Sequence, residues 1–135
     1  MKVPCSLVLL LWFFCHATSG QNLVGYKGSE IKKYMEQNQK EMNFNKVNNS
    51  SFNYLKYSDA TDSQTLLFFL DKDSVCSSMR IVCDKSAGLL KKKEFDSMFS
   101  KTGENSWQEK RNGKIYRIEI QNEEWSSVIN IQPEK

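Results

Sequence analysis

Apolar residues recur along the chain at two different spacings, and the order of these spacings predicts the order of the secondary-structure elements. Residues 26–38 and residues 90–101 each place three apolar side chains at positions i, i+3 and i+4, as one face of an amphipathic α-helix requires. These side chains are Ile31, Tyr34 and Met35 in the first segment and Phe95, Met98 and Phe99 in the second. The pattern predicts two short helices, and the second is expected to end near Gly103, where a left-handed residue suits a helix C-terminus.

Three segments of strand length follow each predicted helix. They are residues 52–57, 65–70 and 75–83 after the first helix, and residues 105–111, 114–121 and 125–131 after the second. Asn112-Gly113 separates two of them and predicts a hairpin, because a type I′ turn needs a positive φ at both central residues. Residues 41–51 are rich in Asn, Lys and Ser, and they predict a surface connection.

This order, helix and three strands followed by helix and three strands (αβββ-αβββ), predicts an α+β fold. We expect two layers, an antiparallel meander sheet of about six strands and two short helices that cover one of its faces. The expected core is formed by Ile31, Tyr34, Met35, Leu67, Phe69, Ile81, Phe95, Phe99, Ile118 and Ile129. Trp125 shares the parity of Ile129 and is expected to be buried, whereas Trp107 lies in a strand that is polar on both faces and is expected near the surface.

The first twenty residues predict a signal peptide that is removed on export. Lys2 supplies the positive charge, residues 7–15 form an apolar run, and residues 17–20 are small enough for a cleavage site. The apolar run is shorter than the about 20 residues that a membrane-spanning helix needs. Residues 21–135 are therefore expected to form a single α+β domain without a transmembrane segment, either periplasmic or secreted. Trp12-Phe13-Phe14 before Cys15 disfavour lipid attachment at that cysteine, which would want small residues there.

The expected loss of His16 with the signal peptide limits the chemistry of the remaining chain. His16 is the only histidine, so residues 21–135 cannot form a Ser-His-Asp or Cys-His catalytic site or a histidine-ligated zinc site. Asp71-Lys72-Asp73 lacks the further ligands of a calcium loop and predicts a solvated turn. We therefore expect a protein that is not an enzyme and that uses no cofactor or metal.

Charge is balanced along the chain, with a formal net charge of +3. An even mixture of signs argues against a nucleic-acid-binding protein, which would concentrate basic residues on one face. The one basic run, Lys91-Lys92-Lys93, is interpreted as a solvated turn at the start of the second helix, with contact to an anionic surface as the alternative.

Two cysteines remain after the expected cleavage, Cys76 and Cys83, and both fall in one predicted strand. At about 3.3 Å per residue they would lie about 23 Å apart, whereas a disulfide needs a Cα separation of roughly 4.4 to 6.8 Å. We therefore predict two separate, half-buried thiols and no intramolecular disulfide.

Part of the chain resembles known envelope proteins. Its first half resembles the helix-then-meander unit of domains similar to the β-lactamase-inhibitor protein and to SmpA/OmlA. The resemblance rests on residues 24–31, a short helix, and the segments Tyr54-Leu55-Lys56-Tyr57 and Leu66-Leu67-Phe68-Phe69-Leu70. The chain is also similar to small uncharacterised exported proteins of Bacteroidetes-type bacteria. This resemblance implies a helix-plus-meander fold in an exported protein, and it brings no catalytic residues to any position of this sequence.

Aromatic residues are more numerous than two short helices can cover. Phe52, Tyr54, Tyr57 and Trp107 are therefore predicted to contribute to an interaction surface, and packing in the core or at a sheet edge is the alternative. The sequence predicts an exported, non-enzymatic domain that binds a protein or surface partner. The alternatives are a carrier of a small apolar ligand between helix and sheet and a minor hydrolase.

Overall fold

The computed structural model describes residues 22–45 and 53–135, and the predicted signal peptide lies outside them. Two helices and eight strands lie within these residues. In chain order they are α1 (Gly28–Asn38), β1 (Asn43–Asn45), β2 (Tyr54–Ser58), β3 (Gln64–Leu70), β4 (Cys76–Asp84), α2 (Lys85–Met98), β5 (Ser100–Gly103), β6 (Ser106–Arg111), β7 (Lys114–Asn122) and β8 (Ser126–Pro133).

The strands form a single sheet in the order β1-β2-β3-β4-β8-β7-β6-β5, and all neighbours are antiparallel. Each helix is followed by a four-stranded meander, and the two meanders join through β4 and β8. The predicted α+β class is confirmed. The expected number of about six strands is wrong, because the edge strands β1 and β5 were not predicted.

The hairpin predicted at Asn112-Gly113 is confirmed. Asn112 and Gly113 have φ values of 51° and 75°, and Arg111 and Lys114 pair across the turn. Both central residues are therefore in the left-handed region that a type I′ turn requires.

The buried side chains of the strands lie on one face of the sheet. One row crosses six strands through pairs of facing residues, and its members are Leu55, Phe68, Met79, Ile131, Ile118 and Trp107. In β3 this register buries Leu66 and Phe68, whereas Leu67 and Phe69 are only half-buried and face the other way. The predicted core positions Leu67 and Phe69 are therefore wrong, because a continuous apolar run carries no alternation that would fix its parity.

Both helices pack on this buried face. In α1 the residues turned to the sheet are Gly28, Ile31 and Met35, and in α2 they are Gly88, Lys91 and Phe95. A Cβ added to Gly28 would lie 3.1 Å from the Leu70 side chain, and one added to Gly88 would lie 2.4 Å from the Ser127 hydroxyl. The glycines thus allow each helix to approach the sheet closely.

Helix α2 begins earlier than the apolar pattern predicts. Asp84 caps it, accepting a hydrogen bond of 2.8 Å from the Ala87 amide. The basic run therefore lies within the helix rather than at its start, and Lys91 is buried, with 6% of its surface exposed. The interpretation of Lys91-Lys92-Lys93 as a solvated turn is wrong for this reason.

The environments of Trp107 and Trp125 are the reverse of those expected. Trp107 is fully buried, its Nε1 donates a hydrogen bond of 2.9 Å to Asp96, and its ring meets Phe95 edge-on at 5.4 Å between centroids. Trp125 is 83% exposed, because it lies in the turn before β8, where strand parity does not apply.

Arg111, at the end of β6, binds residues 22–26, the segment that precedes α1. Its guanidinium donates hydrogen bonds to the carbonyl oxygens of Asn22, at 2.7 Å, and Val24. The same group stacks over Tyr26 and Tyr116, with centroid distances of 5.4 and 4.6 Å. The chain that leads into α1 is therefore held by a residue of the other half of the molecule.

Candidate functional site: the open face of the sheet

The face of the sheet opposite the helices, here called the open face, is not covered by either helix that the structure describes. Its central row crosses six strands through facing pairs, and its members are Lys56, Leu67, Arg80, Asn130, Glu119 and Ser106. These positions alternate with the buried row, because successive side chains of a strand point to opposite faces. The antiparallel sheet thus has one packed face and one accessible face.

Aromatic and aliphatic side chains gather on the part of the open face formed by β2, β3 and β4. Tyr54 faces Phe69, with ring centroids 6.1 Å apart. Lys56 faces Leu67, which in turn faces Arg80. We call these five residues the β2–β4 patch. Four of them are half-buried and Arg80 is exposed, so the patch is accessible to a partner.

Arg80 is oriented by two neighbours. Its Nε donates a hydrogen bond of 2.9 Å to Asn130 Oδ1, and its guanidinium carbon lies 5.8 Å from the centre of the Phe69 ring. A guanidinium held by a side-chain amide and a ring loses little conformational entropy when it binds a carboxylate.

The β2–β4 patch carries two of the cations of the open face, Lys56 and Arg80, and Lys110 and Arg117 lie on the same face in β6 and β7. Among the described residues, neither Lys56 nor Arg80 forms an ion pair, whereas Arg117 on β7 pairs with Glu119 at 3.3 Å. Asp84, at the end of β4, is engaged as the N-cap of α2. The patch therefore presents one cation on each side of Leu67, with the Tyr54–Phe69 pair in the adjacent row.

The structure does not bring the four predicted surface residues together. Only Tyr54 lies in the β2–β4 patch. Tyr57 and Trp107 are buried on the helix-covered face, so their assignment to an interaction surface is wrong, and Phe52 lies outside the described residues. The predicted alternative, packing in the core, holds for Tyr57, whose ring meets Phe68 edge-on at 6.1 Å.

Four members of the patch were missed from the sequence. Leu67 and Phe69 were assigned to the core, and Lys56 and Arg80 were not singled out. The buried parity of Leu55 and Tyr57 in β2, carried across the β2–β3 pairs, is the signal that places Leu67 and Phe69 on the open face.

A groove separates α1 from β1 and β2 at one edge of the sheet. It encloses about 540 Å³ and is lined by Met35, Met42, Phe44 and Tyr57 together with polar residues, which are Lys32, Glu36, Gln39, Lys40 and Asn43. Lys32 Nζ lies 5.4 Å from the centre of the Phe44 ring. Burial raises the pKa of Tyr57, and the negative charge of Glu36 acts in the same direction.

Both cysteines of the described residues are free thiols on β4, which agrees with the prediction from their positions in a single strand. They are fully buried rather than half-buried. Burial raises the pKa of Cys76 to about 11 and also raises that of Cys83, against which the charge of Lys91 acts. Both are therefore poor nucleophiles in the folded protein, because the reactive form is the thiolate.

Within the described residues, no three histidine, cysteine or acidic side chains converge as metal ligands. In the same part of the chain, no helix has the length and apolar composition to cross a membrane. The chain matches no protein-family model, no curated protein and no solved structure.

Proposed function

We propose that this chain is an exported, non-enzymatic domain that binds a protein partner through its open face, with the β2–β4 patch at the centre of the contact. One observation carries the proposal. Leu67 lies between Lys56 and Arg80, and Tyr54 and Phe69 lie in the adjacent row, on a sheet face that neither described helix covers. Tyrosine and arginine are enriched among the residues that dominate the energy of protein interfaces.

The chemistry of the patch defines the partner. Tyr54, Leu67 and Phe69 offer an apolar surface that a partner must match with apolar side chains. Lys56 and Arg80 require carboxylates on both sides of that surface, because two desolvated cations are costly to bury without opposite charges. We therefore propose a partner surface with an apolar centre and acidic residues around it.

Substitution of Arg80 tests this proposal. Arg80→Ala removes an exposed side chain, so the unfolding midpoint should stay nearly unchanged, whereas partner binding should weaken by roughly tenfold or more. Arg117→Ala is the matched control, since Arg117 is an exposed arginine on the same face that is already paired with Glu119. A photo-crosslinker at Leu67 would identify the partner in the extracellular or periplasmic fraction. Equal binding by the Arg80 and Arg117 variants would contradict the proposal.

The groove beside α1 supports a second candidate, a carrier of a small ligand. Its volume of about 540 Å³ suits a small molecule, and Met35 and Met42 form its apolar floor. Lys32, Glu36 and Lys40 line the same groove, so the ligand would need polar groups besides its apolar part. Native mass spectrometry of the purified protein distinguishes the two candidates, because a carrier retains a bound small molecule that organic extraction removes.

A further inference from the structure

β4 and β8 separate at one end of the sheet and leave a cleft there. β8 pairs with β7 as far as Pro133 but with β4 only as far as Ile131. At the start of β4, the Cys76 carbonyl accepts a hydrogen bond from the Gly25 amide, and the Cys76 amide donates one to the Tyr26 carbonyl, both at 2.8 Å. The segment before α1 therefore takes the place beside β4 that β8 has left.

Two adjoining hollows form this opening, here called the seam cleft. The larger hollow encloses about 740 Å³, and its apolar lining consists of Val24, Val75, Cys76, Ile115, Tyr116 and Pro133. The smaller encloses about 350 Å³ and is lined by Tyr26 and Arg111 among others. Gly25, Lys114 and Tyr116 line both hollows and so mark their junction. The larger hollow has the volume of a small-molecule site.

Tyr116 brings an unbonded hydroxyl to the junction. Its side chain is only 4% exposed, yet no described residue forms a hydrogen bond with its hydroxyl. Every fully enclosed polar side-chain atom of the described residues has a hydrogen-bond partner, so this hydroxyl must reach the cleft. A Cβ on Gly25 would lie 3.5 Å from it, so the glycine leaves the space beside the hydroxyl open. A ligand that accepts its hydrogen bond would supply the missing partner.

Lys114 adds a cation to the same junction. It is exposed, and its ammonium forms no ion pair within the part of the chain that the structure describes. Arg111 lies beside the junction, but its guanidinium already donates to the carbonyl oxygens of Asn22 and Val24. It stacks on the Tyr116 ring at 4.6 Å from the ring centre and thus holds that ring in place. Lys114 and Tyr116 are therefore the two donors that a ligand can use.

The acidic side chains of the cleft line it away from the junction. Asp71 and Glu134 line only the larger hollow, and Glu30 lines only the smaller one. Asp71 Oδ1 accepts hydrogen bonds of 2.8 and 3.0 Å from two amides of its own turn, and Glu134 Oε2 accepts one of 2.8 Å from a side-chain amide of β6. Lys135 adds an ammonium group to the larger hollow. An anionic group at the junction would thus meet donors rather than carboxylates.

We propose that the seam cleft binds a small molecule with an anionic head and an apolar body. The head accepts hydrogen bonds from the Tyr116 hydroxyl and the Lys114 ammonium, and hydrogen bonds to an ionised group are stronger than those between neutral groups. The body lies in the larger hollow against Val24 and Ile115. The seam cleft shares no residue with the β2–β4 patch or with the groove beside α1, so this site is independent of the function proposed for either.

Fluorescence titration with 1-anilinonaphthalene-8-sulfonate, an aromatic molecule with an anionic head, tests the proposal. The wild type should bind the dye saturably, and Tyr116→Phe and Lys114→Ala should each weaken binding by roughly tenfold. Lys110→Ala is the matched control, because Lys110 is an exposed lysine of the same hairpin that does not line the cleft. Circular dichroism should show an unchanged melting midpoint for Lys114→Ala, since Lys114 is exposed. A wild type that does not bind the dye, or equal binding by all variants, would overturn the proposal.

Methyl nuclear magnetic resonance locates the bound dye. Resonances of Val24 and Ile115 should shift on binding, and those of Met35 and Met42 in the groove beside α1 should not. Shifts confined to the two methionines would overturn the assignment to the seam cleft.

Competition with ten-carbon chains tests the head group. Decanoate or decyl phosphate should displace the dye, and the better competitor identifies a carboxylate or a phosphate head. Decanol, which has the same apolar chain without a charge, should compete at least tenfold more weakly. Equal competition by decanol would contradict the anionic head.

Discussion

Trp107 is the largest fully buried side chain among the described residues, and it links β6 to α2 through Phe95 and Asp96. Trp107→Ala should lower the free energy of unfolding by about 3 to 5 kcal/mol, because it leaves a large cavity between helix and sheet. Trp125→Ala, the matched control, should change it by about 0.5 kcal/mol or less. Urea denaturation followed by circular dichroism measures both values, and equal losses for the two variants would contradict the buried position of Trp107.

Burial of single residues could be predicted from the sequence where apolar and polar residues alternate. In β4 the alternation places Met79, Ile81 and Cys83 on one face, and all three are buried. Burial cannot be predicted in this way where the alternation is absent or where the strand ends. Trp107 has polar neighbours on both sides, so only the contact with α2 explains its burial, and Trp125 lies in a turn rather than in the strand whose parity it shares.

The two helices use the same three-residue arrangement against the sheet. A glycine allows close approach, and the residues three and seven positions later are buried. Ile31 and Met35 occupy these positions in α1, whereas Lys91 and Phe95 occupy them in α2. Lys91 therefore stands where the first helix has an isoleucine. This charged residue also explains why the start of α2 was predicted too late, because it interrupts the apolar spacing.

Lys91→Met should raise the free energy of unfolding by about 1 kcal/mol near pH 7, because burial penalises a charged lysine and methionine keeps much of the volume. Burial lowers the pKa of Lys91 below its ordinary value of 10.5. Because the pKa of Lys91 is lower in the folded state than in the unfolded state, the free energy of unfolding of the wild type decreases as the pH falls from 10.5 through the folded-state pKa. Above pH 10.5 lysine is neutral in both states and this decrease is absent.

The advantage of the methionine variant should therefore shrink as the pH rises towards 10.5. Lys93→Met is the control, since Lys93 lies on the exposed side of the same helix. Paired denaturant titrations at neutral and alkaline pH measure the difference. A methionine variant less stable than the wild type at pH 7 would show that the contacts of Lys91 outweigh its desolvation.

The edge strands β1 and β5 could not be predicted from the sequence. They contain three and four residues, nearly all polar and exposed, so no apolar periodicity marks them. Pairing of their backbones with β2 and β6 creates them. Short, polar edges also limit pairing with other chains.

At the scale of the whole molecule, Cys76 and Cys83 report on global opening. Both thiols are buried on β4, which has neighbours on both sides in the sheet. Thiol reagents should therefore label them at the rate of global unfolding, and denaturant should accelerate both together. Mass spectrometry of the labelled protein counts the modified thiols. Rapid labelling of one cysteine in the native protein would reveal a local opening of β4.

The same thiols predict a loss of stability at alkaline pH. Burial raises the pKa of Cys76 from 9.0 to about 11, so the folded state keeps a neutral thiol where the unfolded state forms a thiolate. The raised pKa contributes stability that is fully present below pH 9 and is lost as the pH rises to about 11. Over this range the unfolding free energy of the wild type should fall by about 2 kcal/mol more than that of Cys76→Ala.

The α+β class could be predicted from the sequence, but the pairing of β4 with β8, which joins the two meanders, could not. Helix spacing and hairpin signals are local, and they gave the α+β class and the meanders. Pairing of β4 with β8 joins residues about fifty positions apart, and it is decided by tertiary packing. Within the candidate site, only the orientation of Arg80 depends on this pairing, through its hydrogen bond to Asn130. Leu67 and Phe69 were missed because β3 is a continuous apolar run without alternation. Export and the resemblance to envelope domains stay predictions.

The central position of β8 has a consequence for the order of synthesis. This strand leaves the ribosome after the seven other described strands, yet it lies between β4 and β7 and pairs with both. Until it emerges, the nascent chain carries two unpaired inner edges, and unpaired edges invite association with other chains. A premature stop before Ser126 would therefore yield an aggregating fragment rather than a smaller folded domain. A chain that is kept unfolded until β8 has been synthesised would not expose these edges and would not aggregate through them.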